Sequence, residues 1–229
     1  MKTVRLALLN TAYEGFDTRR NFRRELDADL VEYDVTDGDL PETFDFDGFV
    51  VTGSRASVYW DEQWIDDLRA WVTAALAREL PALGVCFGHQ LLADTLGGEV
   101  EDMCEYELGY RRVQRTGESV LLDGLPDEFT IFETHSDRVV TPPEDATVVA
   151  ENEYGIQALE TDCVYSVQFH PEYDTESARA VTLGKESVDK AKIQRVLGGI
   201  DEETYMEACE AKVLFENFVD HVRESLEFE

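Results

Sequence analysis

The sequence predicts an α/β fold, a three-layer sandwich about a central, mainly parallel sheet, continued by a helical C-terminal segment. Three observations predict it. Short apolar runs of four or five residues recur through the first hundred positions, as strands buried on both faces require. Longer charged or amphipathic stretches separate them, so strand and helix patterns alternate. Beyond about residue 174 the strand signal stops and helical patterning takes over.

Leu6–Leu9 is the first strand, Asp17–Leu30 a charged helical stretch and Val31–Val35 the second strand. Gly48–Thr52 is a third strand, running into Gly53-Ser54. Trp60, Trp64, Leu68 and Trp71 stand three or four apart and predict a helix whose aromatic stripe packs in the core. Pro81–Val85 is the fourth strand, and the helix from Gln90 to Leu96 is closed by Gly97-Gly98. From Gly109 to Phe169 short strands are punctuated by Thr116-Gly117, Asp123-Gly124 and Thr141-Pro142-Pro143, a pattern of β-hairpins within the same domain. Leu214, Phe215, Phe218 and Val219 form the apolar face of a late helix. All 229 residues read as one domain, with a helical extension at about 174–210.

Charge narrows the function classes. Asp and Glu number 50 against 20 Lys and Arg, a formal charge of -30. Such a surface repels phosphate backbones and anionic lipid, so neither nucleic acid nor membrane is an expected partner. The acidic residues are spread along the chain, as in a salt-adapted protein whose self-repulsion is screened at molar ionic strength (Debye length roughly 3 Å). The N-terminal run lacks the length and cleavage pattern of a signal peptide, and no run approaches the ~20 apolar residues of a membrane span. The four cysteines form no Cys-x-x-Cys and no zinc-like Cys/His spacing. A reducing cytoplasm is therefore expected, with no metal site. No phosphate-cradling Gly-x-x-x-x-Gly-Lys loop is present, and no cofactor is expected.

The chemistry concentrates in two segments. Gly84-Val85-Cys86-Phe87-Gly88-His89-Gln90 joins a strand to a helix through a Gly-x-Cys-x-Gly turn. That turn forces its central residue into a strained conformation, and the flanking glycines allow the backbone to pass closely. Cys86 then lies at a helix N-terminus, which favours negative charge on sulfur, and the Phe87 N–H is positioned to meet a developing oxyanion. A nucleophilic thiolate needs an imidazole, and an imidazole is oriented by a carboxylate. Of the four histidines, His221 lies in the last acidic helix and is expected to be exposed, and His89 should be turned away by its helix. His170 follows an apolar strand in Gln168-Phe169-His170-Pro171-Glu172. In extended backbone residues i and i+2 share a side, so Glu172 is expected to hold one ring nitrogen while the other faces Cys86. These residues alone specify a cysteine hydrolase or acyl transferase.

The two segments resemble the signature blocks of class I, triad-type glutamine amidotransferases, and the resemblance spans roughly residues 45–173 in the same order. It implies attack by Cys86 on the glutamine side-chain amide, departure of ammonia and hydrolysis of a γ-glutamyl thioester, with His170 moving protons and Glu172 orienting it. It further implies an oxyanion hole from the amides of Gly53 and Phe87. Gln90 would help hold substrate, and His135, Ser136 and Asp137 would offer main-chain contacts to the glutamine α-amino and α-carboxyl groups. Glu107-Leu108-Gly109-Tyr110 resembles a further block of the family. The blocks are nearest to those of the glutaminase half of GMP synthases and of free-standing proteins similar to it. The implied partners are therefore glutamine or another γ-glutamyl substrate, and a synthetase on a separate polypeptide. A γ-glutamyl peptide hydrolase, a different cysteine hydrolase on a similar sheet and a non-catalytic binding protein are the alternatives. Two departures from the family pattern stand out. Ser54-Arg55 follows Gly53 where many members have Gly-Gly-Pro or Gly-Pro-Gly, and the 174–210 extension carries Lys185, Lys190, Lys192 and Arg195, a basic cluster with a partner-docking reading beside that of a solvated helix face.

Overall fold

The apolar runs of the first half become parallel neighbours. In the computed structural model, which describes residues 3–13 and 18–226, β1 (Arg5–Asn10), β2 (Asp29–Asp34), β3 (Gly48–Val51) and β4 (Ala82–Val85) are followed by β5 (Glu99–Arg115), β6 (Glu128–Thr141), β7 (Thr147–Asn152), β8 (Gly155–Glu160) and β9 (Val164–Val167). They form one sheet in the order β2-β1-β3-β4-β9-β8-β7-β5-β6. Pairing is parallel from β2 through β9 and antiparallel from β9 to β6. The sheet is thus mixed, and its parallel half carries the site.

Period-2 alternation divides the core. Leu6, Leu8, Val50, Leu83 and Val85 face one side, with Phe22 of α1 (Thr18–Glu25) and Leu214, Phe215 and Phe218 of α7 (Val213–Ser225). Ala7, Leu9, Phe49, Val51 and Ala82 face the other, with Trp64, Leu68 and Trp71 of α2 (Gln63–Leu76) and Leu91 of α3 (Phe87–Thr95). This is the expected three-layer arrangement. No helix among the described residues is long and apolar enough to cross a membrane.

Several expected boundaries move. Asp17 lies outside the described residues, and α1 ends at Glu25, because Asp29 and Leu30 pair with Arg5 and Leu6 as the start of β2. Val35 leaves the strand for a short 3-10 turn. Trp60 is not in the aromatic helix: its N–H closes a turn on the Ser57 carbonyl (3.0 Å), and the ring is 46% exposed, so the helical spacing runs past the true N-terminus at Gln63. Helix α3 starts at Phe87, three residues before the expected Gln90. The hairpin region begins at Glu99 and is dominated by one long ribbon, β5 with β6, where short strands were expected. His221 is half-buried rather than exposed, its ring edge-on to Tyr165 at 5.0 Å.

The C-terminal segment forms α4 (Thr175–Leu183), α5 (Lys190–Gly198), α6 (Glu202–Ala208) and α7. Ala178 and Val181 of α4, with Ile193 and Val196 of α5, pack on Leu108 and Phe132 of the β5–β6 ribbon. The extension is thereby fastened over the end of the sheet where Cys86 and His170 emerge.

Candidate active site

Strand pairing brings the two signature segments together. Strands β4 and β9 run parallel in a register that sets Val85 beside Val167, and the Cys86 N–H donates to the Val167 carbonyl at 2.9 Å. Cys86 thus leaves the sheet directly beside the strand that leads to His170. Its backbone holds φ 54° and ψ -103°, a region costly for a residue with a Cβ, and α3 starts at the next residue. The glycines around it allow close crossing: a Cβ on Gly84 would lie 2.5 Å from the Gly88 carbonyl oxygen, and one on Gly88 would lie 2.2 Å from that of Val51. Only hydrogen fits at either place, so the elbow is a steric necessity.

His170 and Glu172 meet, though not by extended geometry. Beyond β9 the chain turns, with the Tyr173 N–H approaching the His170 carbonyl at 3.4 Å, and this turn folds the carboxylate back onto the ring. The His170 Nδ1 to Glu172 Oε1 distance is 2.8 Å, and both side chains are buried. Tyr173 stacks on the opposite face of the imidazole, its ring 4.2 Å away and 18° from parallel. Burial opposes charge on His170, but Glu172 and the Cys86 sulfur outweigh it and raise its pKa to about 10. The pocket therefore favours an imidazolium at His170, between Glu172 and the Cys86 sulfur. His89, by contrast, is buried against Ser166 Oγ at 2.8 Å, and burial lowers its pKa to about 3. It stays neutral and away from the reacting atoms, as its helix position predicts.

The loop after β3 closes the other side. A Cβ on Gly53 would stand 2.8 Å from His170 Cε1 and 3.5 Å from Cys86 Cβ, so this backbone touches both groups. Thr11, just past β1, fastens it: its hydroxyl donates to the Thr52 carbonyl at 2.9 Å, and its N–H donates to Thr52 Oγ1 at 2.9 Å. All these groups lie beyond the carboxyl ends of parallel strands, where open α/β sheets bind ligands.

A cavity of about 350 Å³ opens over Cys86 and is lined by Gln90, His135, Ser136 and Asp137 among others. Gln90 donates its side-chain amide to the Asp137 carbonyl (2.9 Å) and to Gln168 Oε1 (3.1 Å), tying the elbow helix to the 135–137 wall. The Asp137 carboxylate accepts from the Tyr59 hydroxyl at 3.0 Å. Phe87 itself is buried against Trp64, leaving its backbone amide at the first turn of α3. Of the nine residues expected at the site, Cys86, Gln90, His135, Ser136 and Asp137 line this cavity, and Gly53 and His170 line a neighbouring one.

The imidazole of His135 points under the wall. Its Nδ1 faces the Asp137 carbonyl at 2.9 Å, and its Nε2 lies 2.9 Å from Glu107 Oε2 and 3.3 Å from Glu133 Oε2. Among the described residues this trio alone offers three metal-ligand atoms within 4.8 Å. Protons account for the geometry without an ion. Nδ1 must donate to a carbonyl and Nε2 to a carboxylate, so the ring is an imidazolium. Burial disfavours that charge, but Glu107 and Glu133 prevail and raise its pKa to about 10. Glu133, pushed up first by burial and then by Glu107, has a pKa of about 7.

The glutamine amidotransferase class-I family model matches residues 18–189. The chain belongs to this family. Its relatives include the glutamine-hydrolyzing GMP synthases of Aliivibrio fischeri strain MJ11 and Vibrio atlanticus strain LGP32, each 36% identical over 153 residues. The match covers 63% of this chain but 28% of those proteins, so the chain corresponds to only a part of their length. A glutamine amidotransferase from Thermotoga maritima shares the fold with a TM-score of 0.82 at 23% identity, covering 96% of this chain and 100% of its own. A second from Methylobacillus flagellatus gives 0.79 at 23% identity, with 96% of each chain covered.

Sequence reasoning missed four residues of this candidate site. Tyr173 follows Glu172 directly, and only the turn reveals that it stacks on His170. Thr11 is remote in sequence and unmarked by any pattern. Glu133 sits on a buried face of β6, where an acid two residues before His135 was a readable anomaly. Lys185, noted only as part of a basic cluster, lines the cavity beside Cys86.

Proposed function

We propose that this class I amidotransferase hydrolyses the side-chain amide of glutamine, or of a γ-glutamyl compound, with Cys86, His170 and Glu172 as its triad. The observation that carries the proposal is the buried His170 imidazole, 2.8 Å from Glu172 and facing Cys86 across adjoining strand ends. The Cys86 thiolate attacks the amide carbon, and the Gly53 and Phe87 N–H groups hold the oxyanion. His170 gives its proton to the departing nitrogen, the C–N bond breaks, and a γ-glutamyl thioester forms. Neutral His170 then takes a proton from water, the hydroxide displaces the sulfur, and glutamate leaves. Gln90 and the 135–137 wall hold the glutamyl group.

The named activity of the GMP synthase relatives supports transfer of the ammonia to a synthetase, a GMP synthase subunit being the first candidate. The second reading, a γ-glutamyl peptide hydrolase acting alone, is favoured by a cavity of about 350 Å³ over Cys86 that Lys185 also lines. We read all 229 residues as one domain with the 174–210 extension, working in a reducing, salt-rich cytoplasm. Glutamate and ammonia release from glutamine in molar KCl, wild type against Cys86→Ala, tests the proposal. Release should fall by roughly 10³-fold or more in the variant. Equal release by both proteins would remove Cys86 from the mechanism.

A further inference from the structure

Tyr173 directly follows Glu172, and packing decides where its ring goes. The chain turns after His170, so the ring folds back over the imidazole face, 4.2 Å between centres and 18° from parallel. Behind it stand Leu108 and Phe132 of the β5–β6 ribbon with Ala178 and Val181 of α4, and the Phe132 ring lies 5.9 Å away. Tyr173 thus fills the space between His170 and the packed extension. Burial, then Glu172 and the Cys86 sulfur, hold its phenol well above the ordinary pKa, so the ring meets His170 uncharged.

Three contacts define the imidazole. Glu172 Oε1 holds Nδ1 at 2.8 Å, which fixes one atom but leaves the ring free to turn about that hydrogen bond. The Gly53 backbone bounds the edge, since a Cβ there would stand 2.8 Å from Cε1. The Tyr173 ring covers one face and removes the remaining rotation. Neutral aromatic rings favour offset or edge-on pairs with centres about 4.5–7 Å apart. His221 meets Tyr165 in that way, at 5.0 Å and 66°. A near-parallel stack at 4.2 Å suits instead a cation lying over a π face. The titratable groups that face His170 are Glu172 on its own turn, Cys86 of the elbow and Glu133 of β6, whose charge His170 favours. Tyr13, Arg55 and Lys185 line a cavity of about 40 Å³ beside the two rings.

We propose, building on the hydrolase reading above, that Tyr173 is a positioning residue: its π face fixes the plane of the His170 imidazole and stabilises the ring in its protonated form. In the proposed reaction His170 must keep its proton until the amide nitrogen departs, with Nε2 aimed at the reacting atoms. A ring that is both pinned and kept cationic meets these two demands. Val181 of α4 lines the same small cavity as Tyr173 and His170, so the packing of the extension reaches the base through this side chain.

The test compares Tyr173→Phe, Tyr173→Leu and a protein carrying pentafluorophenylalanine in place of Tyr173, an aromatic ring of similar shape with a reversed quadrupole. The pKa of His170 is read by NMR of isotope-labelled histidine, its signal assigned by its loss in His170→Gln, beside kcat and KM for glutamine at one fixed KCl concentration. Tyr173→Phe should match the wild type in all three, because the contact uses the ring and not the hydroxyl. Tyr173→Leu and the fluorinated ring should lower the His170 pKa by about one, a roughly tenfold weaker hold on the proton and the scale of a desolvated cation–π contact. Tyr173→Leu should also lower kcat by roughly tenfold with KM little changed, since it frees the ring plane, whereas the fluorinated ring should keep most of kcat. Thermal melts confirm folding, and the fluorinated protein decides the matter if Tyr173→Leu does not fold. A fluorinated variant with the His170 pKa of Tyr173→Phe overturns the proposal, because shape alone then accounts for the stack. A loss in Tyr173→Phe as large as in Tyr173→Leu overturns it too, by moving the role to the hydroxyl. If folded wild type is silent on glutamine and γ-glutamyl compounds, the NMR readout still decides the stack, and the hydrolase reading alone falls.

Discussion

Replacing Gly53 by Ala tests whether the loop after β3 and the triad form one close-packed unit. The new methyl would lie 2.8 Å from His170 Cε1, where ordinary contact begins at about 3.4 Å. The ring must therefore yield by about 0.6 Å or the loop must lift by as much. The ring has little freedom, since Glu172 holds Nδ1 at 2.8 Å and Tyr173 stacks 4.2 Å behind it. The loop is tied by the two Thr11–Thr52 hydrogen bonds at 2.9 Å. Either movement misplaces a group to which the proposed mechanism gives a role, the His170 base in one case and the Gly53 amide in the other. Misplacement by 1 Å costs on the order of 10²-fold, so a loss of roughly 10- to 100-fold is expected, about 1.4–2.7 kcal/mol of transition-state stabilisation. The assay is kcat/KM for glutamate release, accompanied by a thermal melt and the rate of Cys86 alkylation by iodoacetamide. Gly53→Ala with wild-type kcat/KM and a wild-type alkylation rate would refute the close packing.

Three further outcomes follow from the same coordinates. Gly88→Ala, whose methyl would meet the Val51 carbonyl oxygen at 2.2 Å, should destabilise the fold by about 3 kcal/mol and lower the melting temperature by roughly 6–12 °C, whereas Gly53→Ala should leave it nearly unchanged. Glu133 and His135 both have raised pKa values, about 7 and about 10, so the folded state binds more protons than the unfolded chain and stability falls as pH rises from about 4.5 towards 10. Glu133→Gln should abolish the part of that fall between about pH 4.5 and 7, making the variant more stable than wild type at pH 8 but not at pH 5; parallel melting curves across that range would disprove the shared-proton cluster. The melting temperature should climb between low and molar KCl as the charge of -30 is screened, and a flat response would remove the salt-adapted reading.

The parallel half of the fold was legible because its strands are apolar on both faces, and a buried strand such as Phe49–Val51 writes itself as an unbroken run. The elbow was legible for a related reason, since crossing distances of 2.2 and 2.5 Å leave only glycine at positions 84 and 88. The long ribbon was not, because the first eight residues of β5 are exposed or half-buried and its pairing is interrupted by a register shift between Asp102 and Glu107, so that half reads as polar loop. The His170–Glu172 contact was reached by the wrong geometry. An extended strand and a tight turn can both bring i and i+2 side chains together, and the residue types do not distinguish them. Tyr173 and Thr11 were invisible because their roles come from packing across elements, which no local period encodes.

Asp174 shows why the extension belongs to the site. Its carboxylate accepts from Arg24 at 2.8 Å and from Arg20 at 3.1 Å, while Arg24 also donates to the Glu172 carbonyl at 2.5 Å. Helix α1 thereby clamps the turn that presents Glu172, the acid of the proposed triad. The same carboxylate accepts from the Ser177 N–H at 2.8 Å and caps α4, a contribution of about 1 kcal/mol. Burial works against its charge, but Ser177 and the two arginines hold it below the usual carboxylate range. A single anion thus fixes the end of the His170–Tyr173 turn and the start of α4. Any change that loosens Asp174 must therefore disturb the turn that carries Glu172 and the start of α4 together, so activity and the melting temperature should fall in step.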